Sequence, residues 1–164
     1  MKITRIIPIL AAVMILSTCG ITKNAESEEE VSGAIASALL EKDAKDVDFT
    51  FEVTFVNPIS TPSFHSSDGY TLALKDGVLN CDLPFIGTSD RALYGNEDNG
   101  IRVKDCPVEI SVSQSRKSSV LKFAAATTSS SKVYFILEIW PDDTADLTCT
   151  SPSRSTMRYY GNLK

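Results

Sequence analysis

The 164-residue chain is short of the side chains that most chemistry needs: it has one histidine, one tryptophan and no two cysteines at Cys-x-x-Cys spacing. Any Ser-His-Asp or Cys-His arrangement would have to use His65, which lies in a Ser- and Pro-rich stretch from Asn57 to Gly69 with no nucleophile-elbow motif around it. We read it as a loop residue. The lone histidine and the cysteine spacing also exclude an ordinary zinc site. Glycines at Gly87, Gly95 and Gly100 are too sparse for a phosphate loop and join no strand to a helix. Asn96 to Gly100 is rich in oxygen ligands, but it lacks the later bidentate Glu of a calcium loop and reads as a turn. Asp142 and Asp143 follow Pro141, where Asp is a turn former. No catalytic residue, metal or cofactor is expected, and enzyme is the weaker class.

Positive charge is scarce too. Sixteen Lys and Arg face 21 Asp and Glu, a formal charge of −5. Nucleic acid is therefore an unsuitable partner, because affinity for phosphate backbones rests on clustered Lys and Arg. A long apolar run is missing as well. Ile6 to Leu16 is apolar throughout, but eleven residues span only about 16 Å, half of a hydrocarbon core of about 30 Å.

That short run is nevertheless informative. Lys2 and Arg5 precede it, and Leu16-Ser17-Thr18-Cys19-Gly20 follows it. This is the layout of a lipoprotein signal peptide over residues 1–18, with Cys19 as the lipidated residue. Cleavage there removes two of the 16 basic side chains and leaves 14 against 21 acidic ones, a charge of −7. Such a domain gains nothing from anionic lipid, so the acyl chains on Cys19 would anchor it. The expected location is the cell envelope, with the outer membrane favoured and its periplasmic or surface face left open.

Residues 19–26 read as a tether and 27–164 as one domain. Ser27 and Glu30 fit a capping box, and Val31, Ala34, Ile35, Ala38 and Leu39 repeat at helical spacing toward Asp43. From Asp48 the period becomes two. Phe49, Phe51, Val53 and Phe55 alternate with polar residues, and Lys75-Asp76-Gly77 marks a hairpin between Tyr70–Leu74 and Val78–Leu83. Further extended segments are read at 101–103, 108–113, 119–125, 132–140, 145–150 and 155–160. The expected fold is α+β: one N-terminal amphipathic helix packed on a curved, mostly antiparallel sheet of seven to nine strands, with closure into a barrel or sandwich left open. Cys81, Cys106 and Cys149 each share phase with apolar neighbours, which favours buried small hydrophobes; one disulfide among them remains an alternative.

Two segments stand out as recognition candidates. Leu83-Pro84-Phe85-Ile86-Gly87 sets a proline, an aromatic and a glycine where a strand ends. Arg154 to Gly161 gathers two arginines and two tyrosines, residues suited to a contact surface. The candidate binding residues are Pro84, Phe85, Gly87, Arg154 and Tyr159; the competing reading packs a tyrosine in the core and pairs the arginines with carboxylates. Together with Phe49-x-Phe51, Asn57-Pro58, Tyr70-x-Leu72, Gly100-Ile101 and Arg154-x-x-Met157-x-Tyr159-x-Gly161, the chain resembles an uncharacterised domain family of short Bacteroidales cell-envelope lipoproteins. The family usually continues Gly-Arg-Ala after the aromatic motif, whereas this chain has Gly87-Thr88-Ser89 and its Arg91 comes later. The resemblance implies location and fold but no activity. The functional expectation is a non-catalytic, lipid-anchored protein that binds an unidentified protein or small-molecule partner, with a small-ligand-binding or inhibitor-like module as the alternative.

Overall fold

A computed structural model describes residues 48–67, 69–89, 100–115, 117–128 and 130–164. The signal peptide, Cys19, the tether, the Ser27–Asp43 helix and the Asn96–Asn99 part of the expected turn lie outside the described residues. Within them the α+β expectation is corrected: there is no helix, and ten strands form one antiparallel sheet. The strands are β1 (Phe49–Pro58), β2 (Phe64–His65), β3 (Thr71–Lys75), β4 (Val78–Leu83), β5 (Ile101–Pro107), β6 (Ser111–Gln114), β7 (Ser119–Ala126), β8 (Lys132–Ile139), β9 (Thr144–Ser151) and β10 (Arg154–Leu163). The seven to nine strands read from the pattern become ten because two-residue β2 pairs with β1 inside the stretch taken for a loop.

The order β5-β4-β3-β1-β10-β9-β8-β7-β6 makes the sheet a meander whose last strand returns to its first. Its two edge strands, β5 and β6, are consecutive in sequence and are joined through Val108–Ile110. The sheet therefore curls into a half-barrel. Across its seam the Thr128 N–H donates to the Arg102 carbonyl at 2.9 Å. Sheet twist and a filled interior account for the curl, since side chains on one face must bury against one another. Phe51, Leu72, Leu79, Leu83, Leu121, Phe135, Leu147, Met157 and Tyr159 point inward and are fully or almost fully buried. Phe123 and Phe135 stack there at 5.2 Å between ring centroids.

Local chemistry sets the register. In the Lys75–Val78 hairpin both turn residues have positive φ, Asp76 at 51° and Gly77 at 73°, the conformation a two-residue I′ turn needs. The Asp48 carboxylate accepts the Asp76 N–H at 2.9 Å and fixes the turn. Between β1 and β10 the register shifts at Val53/Phe55. That bulge overturns the expected inward alternation, because Phe55 moves to the outer face while Val56 takes the inner one. There Phe55 meets His65 edge-on at 5.0 Å and Tyr160 at 6.1 Å. Gly161 sits opposite Val53, and a Cβ at Gly161 would overlap the Glu52 carbonyl.

A second bulge lies in β5. Lys104 and Asp105 span a step that Asn80 alone covers on β4, and Asp105 adopts φ 46° while donating its N–H to Asn80 Oδ1 at 2.9 Å. The phase slip leaves Cys106 only half-buried, unlike Cys81 and Cys149. All three are free thiols, so the buried-hydrophobe reading holds for two of them and the disulfide alternative for none.

Candidate functional site

β4 ends where Pro84 removes a backbone donor and the ladder cannot continue. The chain then turns Phe85 back into the core, leaves Ile86 39 % exposed, and runs across the start of β10. Four sets of contacts lash it there. The Tyr159 hydroxyl donates to the Pro84 carbonyl at 2.7 Å. The Arg154 guanidinium lies over the Phe85 ring, 5.1 Å from its centroid, and donates through Nη1 to the Gly100 carbonyl at 3.1 Å. Ser155 donates its N–H to the Thr88 carbonyl at 3.0 Å, and the Thr88 N–H returns a bond to Ser155 Oγ at 2.9 Å. Ser89 and Arg154 form a single antiparallel bridge beyond them. Gly87 suits this close crossing: a Cβ there would come within 3.0 Å of Ser155 Cβ and 3.2 Å of the Phe85 ring, so these side chains would have to give way.

All five sequence-predicted binding residues thus converge, but not in one role. Pro84 and Phe85 line a hollow of about 340 Å³, together with Phe64, Tyr70, Asp82, Leu83, Ile86, Gly100 and Arg102. Gly87, Arg154 and Tyr159 do not line it; they hold the Pro84–Phe85 wall in position from behind. Tyr159 is fully buried, and burial pushes its phenol well above the ordinary tyrosine range, with Cys149 and Cys81 adding to the effect. It is a neutral donor at any physiological pH. For Tyr159 the structure supports the core-packing reading, with its hydroxyl spent on the Pro84 carbonyl.

Phe64, Tyr70 and Ile86 were not selected from sequence, and neither was the ion pair of Arg102 Nε with Asp82 Oδ1 at 3.0 Å. Their signal was weak because they come from four separate segments that only the curl of the sheet brings together. Ile86 alone carried a hint, as an apolar residue following a strand-ending Pro-Phe.

Within the hollow the only carboxylate is Asp82, paired with Arg102; the histidine and the buried thiols do not line it. His65 packs edge-on against Phe55 on the outer face. Burial pushes the Cys81 thiol up to about 12 and Cys149 well above its usual value, opposite to what an attacking thiolate needs. Asp142 accepts bonds from the Thr144 hydroxyl at 2.6 Å and the Thr144 N–H at 3.1 Å; these hold its carboxyl below the usual range and identify it as a turn former. Among the described residues no group of three or more His, Cys, Asp and Glu could hold a metal ion.

Residues 24–163 match a family model described as Domain of unknown function (DUF4251). No curated protein matches the chain, and neither does any solved structure.

Proposed function

This chain belongs to the DUF4251 family of domains of unknown function, and we propose that it is a non-catalytic, lipid-anchored binding protein of the bacterial cell envelope. Its ligand site on this reading is the hollow walled by Phe64, Tyr70, Pro84, Phe85 and Ile86. The observation that carries the reading is this hollow: a partly aromatic recess with the Asp82–Arg102 pair in its lining, whose wall is lashed to β10 by contacts that leave the recess itself open. A mostly apolar pocket with a few polar groups at its border is the usual form of a small-molecule site. Between the two sequence-level readings, its size favours a small ligand over a flat protein interface.

Anchoring rests on the Lys2–Cys19 pattern, and the Bacteroidales lipoprotein likeness supports the same location, with the outer membrane as the expected membrane. The non-catalytic part of the reading is supported by His65 standing against Phe55 and by thiols raised in pKa rather than lowered.

Two experiments test the two parts. Metabolic labelling with a fatty acid should mark the wild type and not Cys19→Ala; label kept by the variant rejects the anchor. A thermal-shift screen with bile acids, fatty acids, glycans and peptides should give a small-molecule hit that Ile86→Glu abolishes. A hit untouched by Ile86→Glu rejects the hollow as the site, and turnover of a hydrolase-panel substrate rejects the non-catalytic reading.

A further inference from the structure

A second hollow of about 330 Å³ adjoins the first, and the two share Asp82 and Arg102. The first offers rings and aliphatic surface beside the Asp82–Arg102 pair. The second is also mostly apolar, with Ala73, Cys81 and Val103 in its lining, and Thr71, Asn80, Lys104 and Thr128 add polar groups to it. Its single carboxylate, Asp82, is already neutralised by Arg102. Asn80 spends its carbonyl oxygen on the Asp105 N–H, so what it offers a ligand is its NH2. Lys104 is exposed and makes no ion pair among the described residues. Asp105 follows it on the bulge but does not line the hollow. In a chain of formal charge −5, a lysine without an ion pair among the described residues beside a mostly apolar recess runs against the overall sign.

We infer that the two hollows form one trough for a small amphiphilic anion. Its apolar body lies against Phe64, Tyr70, Phe85 and Ile86, and its carboxylate, sulfonate or phosphate lies at Lys104 beside the Asp82–Arg102 pair. Burial of the apolar body supplies the driving force, and the charge at Lys104 selects the sign of the headgroup. Both hollows fall at the small end of ligand pockets, which fits a single free amphiphile rather than a lipid held in a bilayer. This inference rests on the proposed hollow, and it adds the ligand's charge and orientation.

The test is calorimetric titration of the full chain with decanoate, decanamide and decyltrimethylammonium, each below its micellar concentration. Decanoate should bind at least about tenfold more tightly than the cation. Lys104→Glu should cost decanoate about tenfold while leaving decanamide within about twofold, and Ile86→Glu should weaken both. The urea midpoints of the two surface variants should match the wild type, which separates lost binding from lost folding. Equal affinity for anion and cation, with both sensitive to Ile86→Glu, overturns the anion assignment and leaves the hollow standing. Absence of binding by all three ligands overturns the trough and counts against the hollow with it.

Discussion

The Tyr159 hydroxyl bonds the Pro84 carbonyl at 2.7 Å, joining residues 75 positions apart and tying the last strand to the exit of β4. It is the inner half of a lashing whose outer half is Arg154 on Phe85. Removing the hydroxyl leaves a carbonyl beside the core without its donor. Tyr159→Phe should therefore lower stability by about 1–3 kcal/mol, read as a reduced urea midpoint with an unchanged slope. Retention of the wild-type midpoint would mean that the bond does not hold the wall.

Gly161, inside β10, and Gly77, in the Lys75–Val78 turn, should behave differently. At Gly77 a Cβ has open space, and the cost of Gly77→Ala is that of a left-handed φ, about 1 kcal/mol. At Gly161 the Cβ would overlap the Glu52 carbonyl across the β1–β10 junction that returns the meander to its start. Gly161→Ala should cost about 3 kcal/mol or more by chemical denaturation. Equal effects at the two sites would contradict the close approach.

The free thiols give a protection pattern. Brief alkylation of the native protein followed by peptide mass spectrometry should modify Cys106 first and leave Cys81 and Cys149 until unfolding. Because the folded Cys81 thiol is raised from 9.0 to about 12, the protein holds a proton that the unfolded chain releases. Stability from this group is complete below about pH 9 and is lost as pH rises toward 12, a change of order 4 kcal/mol. A Cys81→Ala variant should show a flatter alkaline limb than the wild type.

On the outer face, Asp146 stands opposite Glu138 on β8 and Tyr160 on β10. One of its carboxylate oxygens is buried with no hydrogen-bond partner. Burial raises its pKa, Arg158 opposes the rise and Glu138 adds to it. A carboxyl raised in the fold destabilises the protein once it ionises, above the unfolded pKa of about 4. Asp146→Asn should therefore stabilise at pH 7, by less than about 1 kcal/mol after solvent screening, and the gain should vanish below pH 4. A loss of stability at pH 7 would identify Asp146 as a needed anion.

Much of this sheet was legible in the sequence, and the failures have specific causes. The 75–78 hairpin was readable because Asp76-Gly77 supplies both left-handed residues. Strand existence followed from alternation, but inward and outward assignment failed at Phe55, where a bulge hidden in the β1–β10 register flips the phase. Cys106 misled in the same way, through the Lys104–Asp105 bulge. Pro84, Phe85, Gly87, Arg154 and Tyr159 were selected as a group and do meet, because the segment that leaves β4 crosses the start of β10. Their division into a wall and its fastening was not legible, since it depends on which side of the Pro84–Phe85 segment β10 crosses. The donors around Lys104 were missed because no local pattern marks residues that a curl gathers from β3, β4, β5 and the β7–β8 turn.

The most direct test of a ligand site at this hollow is an amide chemical-shift map recorded while decanoate is titrated into the ¹⁵N-labelled protein. Concerted shifts are expected at Tyr70, Phe85, Ile86, Gly100, Arg102 and Lys104, with Trp140 and Ser113 unmoved. Shifts centred on the outer-face residues Phe55, His65 and Tyr160, with Phe85 and Ile86 unmoved, would contradict that site.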